Sequence, residues 1–280
     1  MALNLNRRAI PIMTILVQAT LLLYVLSFAA YLRNLYVENK WVGRFAALCL
    51  AGGLVLHYYA LMERGRMLHG VPYEDLWGSL SFFGWMVGLI YLGLELVHRG
   101  RSVGPFVLPF VIILFSISHI RDVSPHPTPA RGTIFALHIT LSILAYSAFA
   151  LAAVLSAIFL LQNRLLRRRK PGGTFWRFPA LDMLERMSRS SALVGIVALI
   201  AGSVAGSIWA HRLHGEYWNG DPKEIISLVM LVCYATYLLL ARQTAWRGAR
   251  AAMLCMFNFV LVLFSYSIVN IYLSRYHRFY

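Results

Sequence analysis

The densest chemistry in the chain lies at 207–226, SIWAHRLHGEYWNGDPKEII, a short stretch that gathers imidazoles, indoles, a phenol and carboxyls. Inside it, Asp221-Pro222-Lys223-Glu224 has the form of a helix start. An Asp side chain accepts a backbone N–H as N-cap, proline is pre-set for the first helical position, and an acid in the first turn faces the positive helix end. Read alone, the stretch is also a capped re-entry loop with aromatic residues at a membrane interface. Elsewhere the chain offers mainly imidazole: nine histidines, against three cysteines, Cys49, Cys233 and Cys255, each inside an apolar run. With no C-x-x-C pair, the pattern argues against disulfide exchange and thiolate-bound metal.

The elements that carry these residues cross a membrane. Of 280 residues, 59% are hydrophobic and 13% charged, and the mean hydropathy is +0.64. A soluble domain carries about a quarter charged residues, and a disordered chain is poor in apolar ones, so both classes are excluded. A spanning helix needs about 20 apolar residues. Eight windows qualify, roughly 10–31, 42–62, 77–97, 103–120, 133–161, 190–210, 224–241 and 251–273. The expected fold is all-α: one transmembrane domain over 1–280, a bundle of about eight membrane helices. The fourth window, short and carrying Pro105 and Pro109, is expected to kink or tilt. Transmembrane strands would alternate over ~10 residues and are excluded. The start, MALNLNRRAI, runs into an apolar segment without a small-residue cleavage site and reads as a retained span.

The net charge of +15 would point to nucleic acid in a soluble protein. Here the cations flank apolar runs and read as cytoplasmic anchors. Eight spans put both termini on one face. The loops 32–44, 98–102, 162–189 and 242–250 then hold 16 Lys and Arg, and the opposite face 10, so the first set is expected in the cytoplasm. The segment 174–189, TFWRFPALDMLERMSR, reads as an amphipathic helix on the inner leaflet. This topology puts His69, His126, His211, His214 and His277 in or beside the outer loops and tail. His119 and His138 lie near outer span ends, His57 lies deeper, and only His98 is cytoplasmic. Arg121, Arg131, Arg212 and Lys223 share the outer face; a partly buried pair could orient carboxylates, but each alone reads as solvated loop charge.

GSIWAHRLHGEYWNGDPKE resembles the tryptophan-rich WWD motif of the CcsA/ResC cytochrome c assembly family, W-G-x-x-W-x-W-D-P-K-E. Gly215, Tyr217, Trp218, Asp221, Pro222, Lys223 and Glu224 stand at its positions. Three more segments are similar in order: GVPYEDLWGSLSFFGW (70–85), ALHITLSILAYSAF (136–149) and, through AWRGARAAM (245–253), the final FSYSIVNIYLSRYH (264–277). The resemblance implies His138 and His277, outward histidines flanking the loop, as axial ligands to the iron of a non-covalently held haem b. Trp218, Tyr217, Asp221 and His214 would form the platform around it. It implies no catalytic residue in the chain itself. Imidazoles are ordinary haem ligands, and an aromatic loop can cover a porphyrin face.

The implied function is to hold haem on the outer face of a cell membrane for thioether attachment to apocytochrome c. The chain would act as a subunit of a haem-attachment complex with a ResB/CcsB-like membrane partner. Departures from the motif are specific: His214 and Gly220 replace two tryptophans, and Leu239 stands where the family often has an intramembrane histidine. These favour the alternative, a non-catalytic regulator or scaffold of haem biosynthesis similar to HemX. His57 reads as hydrogen-bonded within the bundle, and His69 is left unassigned. A transporter ranks last, because Glu95 is the only acid well inside a span edge.

Overall fold

The computed structural model describes residues 2–68, 70–73, 75–120, 132–168, 178–218 and 220–266, with backbone alone for 2–12 and 214. They form eight helices: α1 (Ala2–Tyr36), α2 (Lys40–Leu68), α3 (Leu76–His98), α4 (Gly104–Ser118), α5 (Gly132–Arg167), α6 (Leu181–His214), α7 (Pro222–Leu240) and α8 (Ala249–Phe264). No strand occurs among the described residues. Seven helices are long and apolar enough to cross a membrane, and α8 is a shorter apolar helix. The protein is a polytopic helical membrane protein. The chain divides into two compact units, residues 1–130 and 131–280.

In the first unit α1 packs on α2 and α4, and α3 on α2 and α4, closing a ring of four. The inner face of α1 is polar. Thr20, Tyr24, Ser27 and Tyr31 recur at helical spacing and are fully buried, whereas Leu22, Val25, Leu26 and Leu32 are exposed. Each buried hydroxyl except that of Thr20 reaches another helix. The Tyr24 hydroxyl meets His57 Nδ1 at 3.0 Å, Ser27 donates to the Ala46 carbonyl, and Tyr31 donates to Glu95. This is the arrangement a lipid solvent favours: apolar side chains outside, polar groups paired within. Close approach needs small partners, since a Cβ on Gly53 would meet the Tyr24 ring at 2.7 Å.

In the second unit α5 packs on α6 and α8, and α7 on α6 and α8, again a ring of four. The α5–α6 seam is the most extensive, built on small residues of α6. A Cβ at Gly195 would overlap the Phe149 ring, and one at Gly206 would meet the His138 ring at 2.6 Å. Ser188 and Ser191 extend the seam, donating to the carbonyls of Ala152 and Ala148.

The helices outrun their apolar windows at charged ends, and one expectation needs correcting. In the segment 174–189, residues 174–177 lie outside the described set, 178–180 are not helical, and from Leu181 the chain is already α6. Leu184, Met187 and Ser188 are buried, while Asp182–Arg186 and Glu185–Arg189 pair one turn apart. Burial on one side and ion pairs on the other make this the first turns of a span, not a separate surface helix. The fourth helix starts with Pro105 in its first turn and stays helical through Pro109.

Candidate functional site

His138 lies two turns into α5, facing the α6 seam. Its Nδ1 donates to the Gly202 carbonyl at 2.7 Å, the only role open toward a carbonyl oxygen. That bond sets the ring's direction and makes Nε2 the lone-pair nitrogen of the neutral imidazole. Metal-ligating histidines are oriented in this way, by a hydrogen bond from the other nitrogen. The ring fits only because position 206 has no side chain.

The loop after α6 folds back over this position. Gly215 ends the helix in the left-handed region, φ +79°, which glycine adopts without steric cost. Ser207 then donates to the Tyr217 carbonyl, and the Tyr217 ring stacks on His211 at 3.9 Å. Asp221 caps α7, accepting from the Lys223 backbone N–H at 2.8 Å, with Pro222 at the first helical position and Glu224 in the first turn. The helix start expected at Asp221-Pro222-Lys223-Glu224 is present.

Between α5, α6, α7 and this loop lies a cavity of about 280 Å³. His138, Tyr217, Trp218, Asp221 and Lys223 all line it, so four of the six residues proposed for the cofactor meet at one hollow. Trp218 is still 51% exposed and Tyr217 60%, so the aromatic roof is open on one side. Lys223 is partly enclosed in the cavity wall, unlike the solvated charge expected for it. His277, the side chain of His214, and Arg121, Arg131, His69 and His126 lie outside what is described.

Sequence reasoning missed the hydroxyl lining: Ser142, Tyr146, Ser203 and Ser227 also face the cavity. Ser142 and Tyr146 follow His138 at intervals of four, the one signal that could have found them. The cavity is at the small end of ligand sites, which run about 300–1,000 Å³. A porphyrin would therefore be held by part of its surface, with another edge exposed.

In the matched segment at 70–85, polar side chains brace the chain where α2 meets α3. Arg64, only 5% exposed, pairs with Asp75 at 2.6 Å and donates to the Pro72 carbonyl, while Asp75 caps α3 through the Gly78 N–H. His57, fully buried, has both ring nitrogens engaged, by Tyr24 and by Ser81 Oγ at 2.9 Å. Leu239 is 61% exposed on α7. Glu95, 2% exposed, accepts from Tyr31 and Tyr91 and faces Arg101 at 3.4 Å, which ties α1 to α3.

Residues 73–277 match the family described as Cytochrome C assembly protein. A cytochrome c biogenesis protein CcsA from Heterosigma akashiwo is 24% identical over 271 residues, 84% of either chain. Protein HemX of Bacillus subtilis is 28% identical over 275 residues, covering 94% of this chain and 96% of that one. Among solved structures, the cytochrome c heme lyase CcmF has a similar fold, with a TM-score of 0.62 at 17% identity. The match covers 90% of this chain and 46% of that one, so this chain spans just under half its length. The matched region is most of the chain and includes the capped loop and the cavity beneath it: this protein belongs to the cytochrome c assembly protein family.

Proposed function

We propose that the chain serves cytochrome c biogenesis by holding haem b, non-covalently, at the outer membrane face for attachment to apocytochrome c. The observation that carries the reading is His138, aimed by the Gly202 carbonyl into a cavity roofed by the W-x-x-D-P-K-E loop. His138 and His277 would hold the haem iron through their imidazoles, and Trp218 and Tyr217 would cover the porphyrin. Asp221 acts by capping α7, which fixes where the loop ends; His214 is kept as a further platform residue. When bound, the haem supplies the reacting vinyl groups. Cysteine thiols would add to these vinyl groups as thioethers, with no atom lost. The thiols belong to the apocytochrome. The chain's part is binding and orientation, and the cavity's small volume suits presentation over burial. A ResB/CcsB-like membrane protein is the proposed partner that completes the complex.

The experiment is an absorption spectrum of the protein purified from membranes. Wild type should carry a low-spin haem. His138→Ala, alone and with His277→Ala, should lose it while the amount of inserted protein stays the same. Unchanged haem content in both would overturn the site. The HemX-like alternative, a regulator of haem biosynthesis, is favoured by one observation: the end-to-end match to HemX of Bacillus subtilis. It predicts normal cytochrome c maturation when Trp218 is replaced by Ala.

A further inference from the structure

A shallow, open depression lies at the opposite end of the same unit, beside the turn between α7 and α8. It is lined by Trp246, Arg250, Met253, Leu254 and Phe257. The last four form one stripe of α8, at spacings of three and four. Along about 10 Å of helix rise the stripe passes from a guanidinium to a thioether, an isobutyl group and a phenyl ring. Met253 is 54% exposed and Phe257 65%. At the lip stands Trp246, an amphipathic ring of the kind that settles at headgroup level.

The charge at this end is one-sided. Arg189, Arg242, Arg247 and Arg250 gather about the turn, with Arg189 donating to the Ala241 carbonyl. The Glu185 carboxylate is shared by Arg189 and Arg247. No ion pair engages Arg242 or Arg250 among the described residues. Arg250 is also held in place, because its guanidinium donates to the Ala245 carbonyl at 2.9 Å. A positioned guanidinium at one end of an apolar α8 stripe, beside further cations, suits a phospholipid of net negative charge: phosphate on the guanidinium, acyl chain along the stripe.

We infer that this depression binds a single anionic phospholipid, its phosphate on Arg250 and Arg242 and an acyl chain along Met253, Leu254 and Phe257. The site is independent of the haem cavity. Its test is native mass spectrometry of the full chain, extracted from nanodiscs of phosphatidylglycerol or of phosphatidylcholine. One phosphatidylglycerol should stay bound to wild type, and phosphatidylcholine should not. Arg242→Gln with Arg250→Gln should weaken retention about thirtyfold, two cations at about one kcal/mol each. Arg186→Gln, an exposed pair partner on α6, should leave it unchanged. Excess inorganic phosphate should not displace the lipid, since it lacks the chain. Equal retention of both lipids by wild type, release by inorganic phosphate, or unaltered retention by the double variant would each overturn the proposal.

Discussion

His57 and His138 carry the same side chain in different surroundings. His57 has a partner on each ring nitrogen and no exposed surface, which is how a packing histidine is satisfied in a bundle. Replacing it with Leu leaves the Tyr24 and Ser81 hydroxyls buried without partners, a loss of about 1–3 kcal/mol. The variant should melt at lower temperature with its haem absorption per folded protein unchanged; loss of the haem band would instead make His57 a ligand. At Gly206 the expectation reverses. A methyl group there meets the His138 ring at 2.6 Å, so Gly206→Ala should displace the imidazole and lower haem occupancy more than any loss in stability accounts for. Asp221→Ala removes the cap of α7 and should cost about 1 kcal/mol in thermal or denaturant unfolding, with or without haem.

Among the helices, α6 decides the geometry of the site. Its Gly195, Gly202 and Gly206 let α5 approach closely, and the same approach brings a backbone carbonyl within reach of His138. Glycine inside a helix ordinarily costs ~1 kcal/mol relative to alanine, so these positions show what the seam returns. Gly195→Ala should destabilise the protein, because Phe149 occupies the space its Cβ would need. Gly93→Ala, where nothing lies within 4 Å, should be neutral or stabilising by up to ~1 kcal/mol. Equal effects in thermal unfolding would mean that the α5–α6 contact is not tight at Gly195. The apolar windows of the sequence mark this helix but not its start. Residues 181–189 look amphipathic because one side pairs its charges within the helix while the other packs on α5, and periodicity alone cannot tell that from a helix on a lipid surface.

For the whole molecule, the cations set an expected direction: eight spans would divide the loops and termini into sets holding 16 and 10 Lys and Arg. A cysteine placed at Arg167, in a variant lacking Cys49, Cys233 and Cys255, should react with an impermeant thiol reagent added outside only after the membrane is permeabilised. Labelling from the outside would reverse the orientation. What was legible from the residues alone is considerable, and for one reason. In lipid every backbone group must be paired internally, so a long apolar run can only become a helix. The all-helical class, the apolar cores of the eight helices and the capped start of α7 therefore follow from local composition. Two rings of four helices do not, because nothing in an apolar run says which neighbour it packs against. That depends on side chains far apart in sequence: Tyr24 with His57, Glu95 with Tyr31, Phe149 with Gly195. The site divides the same way. The family resemblance pointed to His138, Tyr217, Trp218 and Asp221, but the hollow they share, its serine lining and the carbonyl that aims the imidazole come from α5 and α6 meeting 64 residues apart along the chain. Local chemistry determines which helices can exist; only their mutual packing decides which polar groups are brought face to face.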